Sequence, residues 1–214
     1  MESWIQICEV NTKLSVSFPK ILFLWVDGTV LKTWGPSDTE SARAMYNSKH
    51  GYHGYVFFVV VLPNGFISFV SLSSTGNEHD KTHYDQSDCS DLLQEAYETI
   101  PEGYTCAIGG DKAYRGIRRP MAWKNYVTKT AEKEEEKEGK EKTKKKFWWK
   151  EYTCDPGIAK FRSVVERTIG AMKNWEILSN EALLSQIDGN LLDLLILLIA
   201  ALTNYKQIHN NKSW

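Results

Sequence analysis

The first third of the chain is dominated by short apolar runs. Ile21 to Val26 is apolar at every position and ends at Asp27-Gly28. A run so short, with no polar face, predicts a strand buried on both sides. Tyr55 to Leu62 (YVFFVVVL) predicts a second strand, rich in β-branched and aromatic residues. Pro63-Asn64-Gly65 supplies a turn, and Phe66 to Leu72 (FISFVSL) alternates as a third. Asn-Gly between two such runs is a strong hairpin signal.

Further on the period changes. Leu92, Leu93, Ala96, Tyr97 and Ile100 recur at helical spacing behind a Ser- and Asp-rich cap region. Tyr104 to Ile108 predicts a fourth strand running into Gly109-Gly110-Asp111, and Trp123 to Thr128 a fifth. Helices are expected over about Ala159 to Trp175 and Asn190 to His209. The second is apolar nearly all round, so it either closes the core or builds a subunit interface. The order β-β-β-α-β-(β)-α-α predicts a mixed α/β domain.

Composition breaks this pattern once. Residues 131–146 hold seven Lys and six Glu in sixteen positions. Such a stretch cannot bury enough surface to offset its ordering entropy, so it reads as an insertion within about residues 129–150. The expected layout is a lead-in at 1–20, one domain at 21–209 carrying that insertion, and a tail at 210–214. The chain of 214 residues has 26 Lys+Arg against 27 Asp+Glu, which argues against nucleic-acid binding by bulk charge. Cys8, Cys89, Cys106 and Cys154 are far apart, with neither zinc-ribbon nor disulfide-framework spacing. Leu191 to Leu202, apolar except for Asp193, is well short of the roughly 20 residues that span a bilayer. A soluble intracellular protein with reduced cysteines and no membrane association is expected.

The candidate chemistry lies in the acids. Asp27 and Asp111 each follow an expected strand, where open α/β sheets place their ligands. Taken singly, Asp-Gly is a common turn pair and Gly-Gly-Asp a plausible loop. In the helix from Phe161 to Lys173, residues Phe161, Val164, Val165, Thr168, Ile169 and Met172 share one face. Arg162, Glu166 and Lys173 line its edge, and Gly170 leaves room beside Glu166. Alone, Glu166 reads as half of an exposed i,i+4 pair with Arg162. Together, three carboxylates from two strand ends and a helix edge suit Mg²⁺ or Mn²⁺, hard cations that take oxygen ligands. Two such ions about 3.5–4 Å apart serve both oxygens of a phosphodiester displacement.

Four motifs occur in order: Asp27-Gly28-Thr29; Gly76-x-x-His79-Asp80; Gly110-Asp111-Lys112-x-Tyr114; and Arg162-x-x-Val165-Glu166-Arg167-x-x-Gly170-x-x-Lys173. Together they resemble the DDE superfamily transposase domain of the PIF/Harbinger kind, related to bacterial insertion-sequence transposases. The resemblance spans about Val26 to Leu178. It implies an RNase H-like fold, a mixed sheet flanked by helices. It implies Asp27, Asp111 and Glu166 as a catalytic, metal-binding triad for Mg²⁺ or Mn²⁺. Asp80 matches a further acidic position, either a metal ligand or a group that holds a neighbour. The implied activity is hydrolysis of DNA phosphodiesters with transfer of the freed strand. The alternative is a catalytically retired remnant that binds DNA or protein.

Two departures from that pattern shape expectation. Only 26 residues precede Asp27, too few for the helix-turn-helix region the family carries there. A separate DNA-binding partner protein is therefore expected, with homo-oligomerisation left open. The long Asp111-to-Glu166 spacing shortens once the charged stretch is set aside, and the family accepts insertions there. Lys112, Arg115, Arg118, Arg119 and Lys124 follow the second aspartate, while Arg162, Arg167 and Lys173 surround the glutamate. Of these, Lys112, Arg115, Arg119, Arg162, Arg167 and Lys173 are the expected DNA phosphate contacts; ordinary solvated surface is the plainer account. Lys144 to Lys150 (KKKFWWK) reads either as base-stacking cations and aromatics or as the anchor where the insertion rejoins the core. Its basic part would suit a nuclear address in a eukaryote; otherwise the cytoplasm is expected.

Overall fold

The computed structural model describes residues 21–98, 105–118, 124–127 and 156–209. The lead-in, the charged insertion, Arg119, the Trp148-Trp149 pair and the tail at 210–214 lie outside the described residues. In chain order the elements are β1 (Ile21–Lys32), α1 (Thr39–Met45), β2 (Tyr46–Asn47), β3 (Tyr52–Val61), β4 (Ile67–Val70) and β5 (Ser74–Thr75). They continue as α2 (Asp80–Gln86), α3 (Cys89–Glu98), β6 (Thr105–Gly110), a 3₁₀ turn (Lys112–Tyr114) and β7 (Lys124–Val127). Four helices follow: α4 (Pro156–Lys173), α5 (Glu176–Ser179), α6 (Glu181–Leu184) and α7 (Gly189–His209).

The strands form one curled mixed sheet in the order β2-β3-β1-β6-β7, with β4 and β5 also pairing with β3. β1 runs antiparallel to β3 and parallel to β6, and β6 runs parallel to β7. The expected hairpin joins β3 to β4. The Leu62 N–H donates to the Phe66 carbonyl at 2.8 Å, and Gly65 takes φ 87°, the left-handed conformation that an Asn-Gly turn provides.

Alternation of side chains in β1 and β3 splits the core into two layers. On one face Phe23, Trp25, Leu31, Phe57, Val59 and Val61 pack with Val165, Ile169 and Met172 of α4 and with Leu192, Ile196 and Ile199 of α7. On the other, Leu24, Val26, Phe58 and Val60 pack with Tyr84 of α2, Leu93 of α3 and Tyr114 of the 3₁₀ turn. Helices therefore cover both faces, as the apolar runs in β1 and β3 require.

Two expectations are corrected. β1 does not end at Val26: it continues through Asp27-Gly28 to Lys32, paired with β3 along Trp25↔Val61 to Lys32↔Gly54. The Asp-Gly pair is not a turn, because Gly28 serves close packing instead: a Cβ there would lie 2.9 Å from both Asp80 Oδ1 and the Tyr114 hydroxyl. Likewise Gly109 and Gly110 are strand, not loop. Trp25 faces Gly109 across the parallel pair, and its ring occupies the space a side chain would need.

α7 is neither fully buried nor wholly at the surface. Leu192, Ile196, Ile199, Ala200 and Thr203 are buried, and its polar groups secure the exposed edge of β4. Asn204 donates to and accepts from the Ile67 backbone at 2.9 Å each, and Asp193 accepts from Ser73 N at 2.6 Å. Length and composition alone would let α7 cross a membrane, yet this inner face belongs to the core.

Filling the Gly109 gap tests this packing. A Cβ there would sit 2.5 Å from the Trp25 ring, which is fully buried. Gly109→Ala should lower unfolding stability by about 1–3 kcal/mol in urea titrations, the usual penalty of overpacking. Gly170→Ala, with nothing within 4 Å of its added Cβ, should not destabilise.

Candidate active site

The site forms where β1 outruns β6. Their parallel pairing ends at Trp25↔Gly109; two residues beyond it stand Asp27, still on β1, and Asp111, just past the end of β6. β1 continues with β3 alone, so the side it had shared with β6 opens. Polar side chains can enter a sheet there without breaking a backbone ladder.

Strand alternation gives Asp27 to the face of Trp25 and Leu31, on which α4 packs. There Arg162 and Glu166, a pair one turn apart on α4 at 3.3 Å, act on it. Gly28 belongs to the opposite face, over Asp80 at the start of α2 and over the Tyr114 hydroxyl. Asp111 sits at the rim between them: its charge acts on Asp27 and on Asp80 alike. The four expected acids are thus one electrostatic group, disposed around β1 from both faces.

Their environments differ. Burial pushes the Asp27 carboxyl up to about 6, Arg162 opposes that, and Asp111 and Glu166 add to it; its Oδ1 accepts from Gly28 N at 3.0 Å. Burial raises Asp80 as well, against the pull of Lys49, and Asp111 adds to the rise. Asp111 accepts from Ala113 N at 2.8 Å through Oδ1 and so caps the 3₁₀ turn. That turn fixes Tyr114, whose buried hydroxyl is held well above its usual pKa by burial and then by Asp80, Asp27 and Asp111. Glu166 is the most solvated of the four, with about half its side chain exposed.

Among the described residues no three His, Cys, Asp or Glu side chains meet at one ion-sized point. In kind, however, the donor set fits a hard divalent cation: four carboxylates, two of them, Asp27 and Asp80, held above their usual pKa by burial and by the charge of Asp111. Asp27 and Asp111 each engage only Oδ1 in these backbone bonds, leaving a second oxygen for a ligand.

The expected phosphate contacts fare differently. Lys112, Arg115 and Arg167 are exposed. Arg162 is largely covered beside Glu166. Lys173 is half-buried and donates to the Val30 carbonyl at 2.9 Å, tying α4 to β1. Arg118 is paired with Asp91 at 2.6 Å. Arg119 falls outside the described residues.

Sequence reasoning missed three neighbours. Tyr114 appeared only as a motif letter. Lys49 and His50 stand on the β2–β3 turn, whose N–H groups at His50 and Gly51 donate to the Asn47 carbonyl. Both lie close enough to interact with Asp80, and His50 also feels Lys173. The Asn47-to-Gly51 spacing, with Gly51 at φ 75°, was the available signal for that turn. A cavity of about 560 Å³ lies apart from the acids, at the far end of β1 between Trp34, Met45, Tyr55 and Gln186.

A family model described as DDE superfamily endonuclease matches residues 26–204. The chain belongs to the DDE superfamily of endonucleases. No curated protein and no solved structure gave a match. The matched span begins just before Asp27 and contains all four acids, so the domain described above is the endonuclease domain. DNA is the substrate class this membership implies.

The raised carboxyl has a stability signature. Because Asp27 is protonated more readily in the folded chain than at its ordinary 3.8, its stabilising contribution is full below about pH 4 and lost as pH rises through about 6. In EDTA, Asp27→Asn should therefore be more stable than wild type at pH 7, by on the order of 1–3 kcal/mol. Denaturant unfolding should show that advantage disappearing by pH 4.

Proposed function

We propose that this domain is the catalytic unit of a metal-dependent DNA nuclease of the transposase kind, with Asp27, Asp111 and Glu166 as the metal-holding residues. The observation that carries the reading is that Asp111 at the end of β6 and Glu166 on α4 both act on Asp27 of β1, at the point where the β1–β6 pairing stops. The β4-β3-β1-β6-β7 path, three antiparallel strands and then two parallel ones, supports an RNase H-like topology. The order of the four motifs supports the PIF/Harbinger subtype. Mg²⁺ or Mn²⁺ is the cofactor proposed.

A divalent cation bound there supplies Lewis-acid polarisation of the phosphodiester and a more acidic attacking water. Asp27 and Asp111 offer one unengaged carboxylate oxygen each. Asp80 packs over Gly28 beside the Tyr114 hydroxyl, and its charge adds to the attraction for a cation. Arg162 pairs with Glu166 until a phosphate competes for its guanidinium. Lys49, Lys112, Arg115 and Arg167 provide the outer cations that position a DNA backbone without reading sequence.

One observation favours the alternative of a retired, DNA- or protein-binding remnant: Glu166 is paired with Arg162. Two measurements separate the readings. The active domain should nick supercoiled plasmid only with Mg²⁺ or Mn²⁺, and Asp27→Asn, Asp111→Asn and Glu166→Gln should each reduce nicking at least about 100-fold. Millimolar Mn²⁺ should raise its melting temperature, because a ligand that binds only the folded state stabilises it. Neither nicking nor a thermal shift in wild type would leave the remnant as the correct account.

A further inference from the structure

The outer face of α7 is an apolar stripe that nothing among the described residues covers. Leu191, Leu194, Leu198, Leu202, Tyr205 and Ile208 follow one another at three- and four-residue intervals, each between 36% and 65% exposed. They stand opposite Leu192, Ile196, Ile199 and Thr203, which face the core. Single exposed leucines are ordinary, but a continuous row of large ones along a helix of 21 residues marks a contact surface.

We propose that this stripe pairs two copies of the chain, α7 against α7, in an antiparallel two-fold dimer. Charge selects both the occupant and the direction. Asp188 caps the start of α7 through Leu191 N at 2.9 Å, and Lys206 stands near its end, held over the Trp175 ring. They are 18 residues apart, five full turns at 3.6 residues per turn, and so lie on one flank of the stripe. In antiparallel helices like flanks meet, so Asp188 of each copy faces Lys206 of the other. Parallel pairing would join neither and would set the two helix dipoles side by side. The two-fold passes near Leu197 and Leu198.

Size agrees with a dimer. Two helices about 30 Å long packed lengthwise bury on the order of 1,000 Å² together. That is near the threshold for a specific interface. A membrane surface would also accept an apolar stripe, but Asp188 and Asp193 at the start of the same helix disfavour an anionic bilayer.

Sedimentation velocity on the full chain tests this independently of any DNA cleavage. Wild type should shift from monomer at about 1 μM to dimer at about 100 μM. Leu194→Lys combined with Leu198→Lys should stay monomeric at both concentrations, with an unchanged far-ultraviolet spectrum. Disulfide trapping fixes the direction and needs no destabilising charge. Leu198→Cys should cross-link to its own copy, Leu191→Cys should not, and Leu191→Cys mixed with Tyr205→Cys should. Wild type without substitution is the control for the native cysteines. A wild-type chain monomeric at 100 μM, or a monomer that floats with phosphatidylcholine vesicles, overturns the proposal. Equal self-cross-linking of Leu191→Cys and Leu198→Cys overturns the antiparallel arrangement.

Discussion

The structure depends on where one backbone pairing stops. β1 shares hydrogen bonds with β3 along most of its length but with β6 only as far as Trp25↔Gly109. Up to that point the strand is apolar on both faces and pairs with β6, and at Trp25 it passes to pairing with β3. Beyond it, one edge is released while the strand itself remains rigid. Asp27 is thereby held by regular secondary structure and still has access to solvent and ligand, a combination that neither a loop nor a fully paired strand provides.

That opening concentrates acids that repel one another, and the surrounding residues fit the consequence. Burial and like charge hold Asp27 and Asp80 above their usual range, while Arg162 and the Gly28 amide oppose this at Asp27 and Lys49 opposes it at Asp80. The arrangement resembles the stability–activity conflict common at catalytic centres, where a group placed for function weakens the unliganded fold. Glycine makes the crowding geometrically feasible. At Gly28 the missing side chain admits Asp80 and the Tyr114 hydroxyl, at Gly109 it admits the Trp25 ring, and at Gly110 Val26 and Tyr114 close in.

Those glycines also explain what the sequence concealed. Apolar runs and the Asn-Gly turn were sufficient for β1, β3, β4 and their hairpin, since each reports burial directly. The apolar face of α4 was readable for the same reason: Val164, Val165, Thr168, Ile169 and Met172 are all buried. Asp27-Gly28 and Gly109-Gly110 misled because turn chemistry and tight packing use the same residue, and only the partner atom distinguishes them. The short elements α1, α2, α5 and α6 carry four to seven residues each, too few for a period to emerge. The acids were legible as types and positions. Their division between two faces was not, because it follows from strand parity at Gly28 and from the path of α2. Lys49 and His50 approach them only through the β2–β3 turn, a contact that no linear spacing encodes.

α7 shows the limit of composition from the opposite side. A helix apolar all round declares that water is disfavoured on every face, without saying what replaces it on each. The inner face is settled by polar detail: Asn204 and Asp193 satisfy backbone groups of β4 and Ser73, which fixes both the rotation and the axial position of the helix. Once that rotation is fixed, the outer leucines have no freedom to turn inward, because Ile196 and Ile199 already fill the space against the sheet. Covering them needs another surface, and Asp188 and Lys206 at opposite ends of one flank are complementary to their own reversed copy. The same few hydrogen bonds that close the core therefore expose the stripe.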